Sequence, residues 1–252
     1  MFRPLFISHG APDVLILDTP AHRAIKALGQ RPAPRAYVVI SAHWQAGDLQ
    51  LTSARHPETI HDFRGFGETL ERFQYPAPGA AELANEIASR LTAHGLPART
   101  NERRGWDHGA WVPMALIRPE ADIPVVQVSL PRSDDRASIE LGQALGNLVD
   151  EDVQIIASGA LTHSLTDSLP QTENAPTAEF AADFREALLP ALQTGDPEEM
   201  MGWTAAPYAA RNHPTPEHFR PLLVAMAAGG QPGTCLHTSW SRSALAMDIW
   251  EF

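Results

Sequence analysis

The sequence predicts an α/β fold, a single domain spanning residues 1–252 with a central, mostly parallel sheet flanked by helices. Two observations carry the prediction. Short, β-branched, near-continuous apolar runs recur along the chain, the pattern of strands buried on both faces. Segments of helical period alternate with them, as parallel strands joined by crossover helices require. A length of 252 residues with 44% hydrophobic and 19% charged residues is ample for a sizeable core.

The elements follow in order. Pro4–Ser8 (PLFIS) is the first strand, and Pro20–Leu28 the first helix, with Thr19 placed to cap it and Pro20 opening its first turn. Tyr37–Ser41 (YVVIS) is a second strand and Leu49–Ser53 (LQLTS) a weaker one, expected at an edge. Helical patterns at Ala80–Ala93 and Ala137–Leu148 bracket the strand Pro124–Leu130 (PVVQVSL), and Val153–Ser158 (VQIIAS) follows. Ala178–Leu192 and Pro216–Ala228 complete the helices. Pro170–Thr177 reads as a surface loop rather than a domain boundary. The longer loops at His56–Gly79 and Gly202–Thr215 carry aromatic residues, Pro and Gly, a composition expected of loops that line a site.

Charge and motif content narrow the function. Nineteen Lys and Arg against thirty Asp and Glu give a net charge of −11, which opposes broad binding to nucleic acid or anionic lipid. No apolar run approaches the ~18 residues of a spanning helix, and the N-terminus lacks signal-peptide features, so a cytoplasmic protein is expected. A lone cysteine, Cys235, excludes an internal disulfide and reads as a buried small residue. No GxGxxG, Walker, GxSxG or HExxH motif is present, which removes support for nucleotide binding and serine hydrolysis.

The informative residues are histidines, of which there are eleven. His9 and His43 directly follow predicted strands, and His163 lies a short loop past another. In an open parallel sheet all three face the crevice beyond the carboxyl ends of the strands. Imidazole is the commonest metal ligand and suits Fe and Zn alike. A further ligand could come from His218 (Thr215-Pro216-Glu217-His218) or His22 (Thr19-Pro20-Ala21-His22), each in the first turn of a predicted helix, and spacing does not choose between them. His108, in Trp106-Asp107-His108-Gly109-Ala110-Trp111, suits proton transfer or substrate binding; the competing reading is a packed loop in which Asp107 caps a helix starting near Trp111. His61, beside Asp62, falls under the same suspicion. Arg64, Arg104 and Arg220 could hold a substrate carboxylate, although each reads first as a surface residue.

Several segments resemble the 4,5-DOPA extradiol dioxygenase family, within the class III extradiol ring-cleavage dioxygenases. They are ISHGAP (7–12), SAHW (41–44), TIHDFRGF (59–66), YPAPG (75–79), WDHGAW (106–111), IPVVQVSL (123–130), SGALTHSL (158–165) and PTPEHFRPLL (214–223). The resemblance runs nearly end to end. It implies a class III extradiol dioxygenase-like fold in which His9, His43 and His218 hold one metal, so that His218 is preferred to His22. His163 would be the acid/base, close enough to the metal to serve as a fourth ligand, and His108 would bond substrate or oxygen. The implied activity inserts both atoms of O2 into a DOPA-like catechol and opens its ring to a muconic semialdehyde. It requires non-haem Fe(II), although Zn(II) can occupy such a site. The implied partners are the catechol and O2, and the implied state a monomer or small homo-oligomer. A zinc-dependent hydrolase on the same scaffold and a non-catalytic, Memo-like binding protein are the alternatives.

Overall fold

Alternation along the strands decides how the layers pack. The computed structural model describes residues 2–148 and 152–252. Its strands are β1 (Leu5–Ser8), β2 (Ala36–Ala46), β3 (Leu49–Thr52), β4 (Ala98–Asn101), β5 (Val125–Pro131), β6 (Val153–Gly159), β7 (Thr234–His237), β8 (Trp240–Ser241), β9 (Leu245–Ala246) and β10 (Ile249–Glu251). The helices are α1 (Pro20–Leu28), α2 (Glu68–Glu71), α3 (Ala81–Ala93), α4 (His108–Ile117), α5 (Asp135–Leu148), α6 (Leu165–Ser168), α7 (Glu179–Thr194), α8 (Pro197–Met200), α9 (Ala209–Asn212) and α10 (Arg220–Gly229).

Among the described residues, eight strands form one sheet in the order β4-β3-β5-β2-β6-β1-β10-β7. The four central strands, β5-β2-β6-β1, are parallel. Antiparallel pairing enters at β3 on one side and at β10 and β7 on the other. The fold is therefore α/β with a mixed, mostly parallel sheet, as expected. Leu5, Ile7, Tyr37, Val39, Val125 and Ile156 face one way, onto α1 and α4. Their neighbours Val38, Ile40, Val126, Val128 and Ile155 face the other way, onto α3, α5 and α10. Both faces are thus dry, which explains the continuous apolar runs.

Three expectations are corrected. Leu49–Thr52 is not an edge strand, because β4 pairs beyond it. The helix expected over Pro216–Ala228 begins only at Arg220, and Thr215 does not cap it; its hydroxyl donates to Glu217 instead. Pro221 has no N–H to give the carbonyl of Glu217, so regular helix starts there and His218 sits in the preceding turn. Cys235 is exposed rather than buried, because it lies on β7 at the outer edge of the sheet. Helix α4 is entirely buried and carries Pro113 inside, so it shows no amphipathic period. No helix of the described residues is long and apolar enough to cross a membrane.

Candidate metal centre

The central strands deliver the site. His9 follows β1 directly, and its backbone N–H donates to the carbonyl of Gly159 at the end of β6 (3.0 Å). His43 lies within β2, where the pairing with β5 jumps from Ser41↔Ser129 to Gln45↔Leu130, leaving the intervening residues without counterparts. This irregularity turns the strand at the crevice, a use to which bulges are often put. His218 comes from the turn before α10, tied to the sheet by the Ala160 N–H donating to the His218 carbonyl (2.9 Å). Gly159 permits this approach, since a Cβ there would lie 2.3 Å from that carbonyl oxygen. Gly109 on α4 is equally constrained: a Cβ would meet Ser41 Oγ at 2.3 Å and the His43 ring at 2.9 Å.

Three imidazoles converge through the same atom. His43 Nε2 stands 3.2 Å from His9 Nε2 and 3.2 Å from His218 Nε2. The outer nitrogens have partners that fix the tautomers of two rings. Ser158 Oγ donates its one proton to the Gly109 carbonyl (2.5 Å), so at 2.9 Å it accepts from His9 Nδ1–H. His218 Nδ1 donates to Glu217 Oε1 (3.1 Å). His43 Nδ1 is 3.5 Å from Asp62 Oδ2. The Nε2 lone pairs of His9 and His218 are therefore directed at a common region, with His43 Nε2 within 3.2 Å of each. Two imidazoles on one ion, at the ~2.0–2.1 Å typical of Zn–N bonds, would place their nitrogens about 3 Å apart. The donor set and its second layer of acceptors fit a divalent metal.

Burial holds these rings neutral. It pushes the pKa values of His9 and His218 well below the ordinary imidazole value, and neighbouring histidines push them further. His43 falls to about 4, through burial first and the nearby His108 second. Neutral imidazole is the form that ligates.

His108 joins the cluster from the N-terminus of α4. Nitrogens of His9, His43 and His108 all lie within 4.8 Å of one another, so His108 stands close enough to count among potential ligands. Its Nδ1 and its backbone N–H both donate to Asp62 Oδ1, at 2.8 and 3.0 Å. Burial raises the pKa of Asp62, but the His108 hydrogen bond and the adjacent imidazoles outweigh it and bring the carboxyl to about 2. His163 lines the same cavity and stacks on His218, ring centroids 3.5 Å apart and planes 11° apart. Burial, then His43, lowers its pKa to about 4.

Beneath the cluster lies a buried polar floor. Asp107 is fully buried and accepts from Ser41 Oγ (2.6 Å), Gln127 Nε2 (2.5 Å), Arg104 (2.9 Å) and the Ala110 N–H (3.2 Å). The last of these makes it the N-cap of α4. The two readings weighed for the Trp106–Trp111 segment coexist: Asp107 caps the helix, which starts at His108, and His108 faces the cavity. Above the cluster is a cavity of about 310 Å³, walled by Phe63, Phe66, Leu165, Leu169, Leu245 and Met247.

His22 lies apart from the cavity lining, with Nδ1 on the Val14 carbonyl (2.9 Å). His61 also misses it and bonds the Phe73 carbonyl (2.8 Å); its neighbour Asp62 is the residue that enters the site. Suspicion fell on the wrong member of that pair, since successive residues of extended chain point opposite ways. Ser158, Glu217 and Gln127 carried no sequence signal. The loop around His56–Gly79 does line the cavity, through residues 62–64 and Phe66, whereas 202–215 does not.

A mostly parallel sheet with histidines converging at its carboxyl edge, under an apolar cavity, suits a metal-dependent enzyme, and similarity to known proteins gives the family. Over residues 6–247 the chain matches the family described as the catalytic LigB subunit of aromatic ring-opening dioxygenase, and it belongs to that family of extradiol ring-opening enzymes. Among its relatives, a 4,5-DOPA dioxygenase extradiol of Beta vulgaris is 41% identical over 98% of this chain and 95% of its own length. The protein of the same description from Escherichia coli K12 is 35% identical over 91% and 87%. The crystal structure of an uncharacterized protein of Escherichia coli K12 superposes with a TM-score of 0.82 at 28% identity, covering both chains completely.

Proposed function

We propose that this chain is a non-haem Fe(II) extradiol dioxygenase that inserts both atoms of O2 into a DOPA-like catechol and releases a muconic semialdehyde. The observation that carries it is the convergence of His9, His43 and His218 through Nε2, with outer nitrogens of two of the rings fixed by acceptors. These three residues hold the metal in this reading. Fe(II) bound there supplies the redox capacity that couples a catecholate to O2, whereas Zn(II) keeps one oxidation state. The named relatives support the substrate class, being described as 4,5-DOPA dioxygenases.

The chain's own residues supply the rest. His163, neutral above about pH 4, accepts a proton from a catechol hydroxyl and returns it as the ring opens. His108 is fixed by Asp62 through Nδ1–H, which leaves the Nε2 lone pair to accept a hydrogen bond from a substrate hydroxyl. The apolar walls hold the aromatic ring and exclude water.

Anaerobic reconstitution with Fe(II), followed by air and a catechol panel that includes DOPA, tests the reading. Yellow semialdehyde absorbance with oxygen uptake is expected with Fe(II) and not with Zn(II). Silence across the panel with one metal bound per chain would overturn it in favour of a hydrolase or a binding protein.

A further inference from the structure

We propose that Asp62 is a shared positioning residue, whose two carboxylate oxygens orient the metal ligand His43 and the substrate-binding His108 at once. The inference rests on the dioxygenase reading and deepens it, since Asp62 acts through two imidazoles of that site. His9 and His218 have outer nitrogens fixed by Ser158 and Glu217. His43 lacks such a hydrogen bond; what faces its Nδ1 is Asp62 Oδ2, at 3.5 Å. That separation is long for a hydrogen bond and short for a charge contact. A proton on Nδ1 is attracted by the carboxylate, whereas a lone pair there is repelled. The proton therefore resides on Nδ1, and Nε2 presents its lone pair toward His9 and His218. The other oxygen, Oδ1, accepts from the ring and backbone N–H groups of His108, at 2.8 and 3.0 Å.

One carboxylate serves both rings because they lie side by side, with centroids 3.9 Å apart. Gly109 permits that approach, since a Cβ there would stand 2.9 Å from the His43 ring. Asp62 is anchored from both sides. Before it, the Ile60 N–H donates to the Trp106 carbonyl (2.7 Å), and the Trp111 indole N–H to the Ile60 carbonyl (2.9 Å). The His61 ring bonds the Phe73 carbonyl (2.8 Å), and Phe63 packs edge-on against the His108 ring, centroids 5.5 Å apart. Nearby arginines are engaged elsewhere. Arg104 is held by Asp107, Arg242 by Asp13, and Arg220, expected at the surface but buried, by Asp135 (3.0 Å). An ionised carboxylate carries no donor, so both Asp62 oxygens are available to the two imidazoles.

The test compares wild type, Asp62→Asn and Asp62→Ala in two titrations. Zn(II) affinity is read by competition with a chelating dye. Binding of 4-nitrocatechol, whose visible band shifts on ionisation, is read at saturating Zn(II). Asparagine keeps the shape of aspartate but presents one oxygen and one NH2 group. The two N–H donors of His108 hold its oxygen, so the NH2 group faces His43 Nδ1 and drives the ring proton to Nε2. Asp62→Asn is therefore expected to lose about 10–100-fold in Zn(II) affinity, the scale of a lost outer partner, while its nitrocatechol binding stays close to wild type. Asp62→Ala should lose both, the catechol by about tenfold. Wild-type Zn(II) affinity in Asp62→Asn, or wild-type nitrocatechol binding in Asp62→Ala, would overturn the proposal. Equal loss of both ligands in the two variants would also overturn it, because a merely structural role moves the two together. Neither titration needs turnover, so failure of ring opening with Fe(II) would refute the dioxygenase reading alone.

Discussion

The floor and the rim of the cavity are built on different principles. The floor is dry and densely hydrogen-bonded: Asp107 accepts four, Ser158 links His9 to α4, and Gly109 brings that helix against two imidazoles. The rim is wet and apolar. Leu165 and Leu169 are 45% and 56% exposed, and Arg64 is unpaired among the described residues. The floor is thus over-determined, which is what fixing donor atoms to a few tenths of an ångström requires. The rim, exposed to solvent, carries little of the fold's stability.

The largest expected effect separates two histidines that share the cavity. His43→Ala removes the Nε2 common to both close contacts and should abolish stoichiometric metal binding, read by metal analysis after dialysis. His163→Ala should leave metal bound but suppress ring opening by 10²-fold or more, the scale of a lost acid/base. Full turnover by His163→Ala would remove its proposed role.

Floor and rim should also differ in stability. Asp107→Ala leaves Arg104 and Gln127 facing a void and uncaps α4. Removing one member of a buried charged pair costs about 3–5 kcal/mol, and chemical denaturation should show a loss of that order. Leu169→Ala at the rim should cost well under about 1 kcal/mol, as surface substitutions do. Equal losses would mean that the rim is structural after all.

How much of this was legible in the sequence follows the same division. β1, β2, β5 and β6 were readable because burial on both faces leaves unbroken apolar runs, and the histidines after them because strand ends point at a crevice. Helix α4 was obscured by burial on all sides, β7 by its exposure at the sheet edge and β10 by shortness. Of the floor, the capping role of Asp107 was readable, whereas Gln127 and Ser158 come from other segments, and nothing local marks serine or glutamine as a partner. The resemblance, not the spacing, chose His218 over His22; the structure places His218 in the cavity and His22 outside it.

Acid should expose the cost of holding buried imidazoles neutral. His213 is buried, donates Nε2–H to the Leu161 carbonyl (2.9 Å), and has its pKa lowered to about 4 by burial. A lowered folded-state value means that the unfolded chain binds the proton first. Its contribution to stability is therefore complete above the unfolded value of 6.5 and is lost as pH falls from there toward 4. At about 1.4 kcal/mol per unit, the loss reaches roughly 3 kcal/mol for this one group. His43 and His163 shift the same way and should steepen the dependence in the metal-free protein. Bound metal should remove the part due to ligand histidines while leaving that of His213, which lies off the cavity. Thermal unfolding at a series of pH values, with and without Zn(II), reads both parts. A midpoint flat from pH 6.5 to 4 in the metal-free protein would show that these rings are not held neutral by burial.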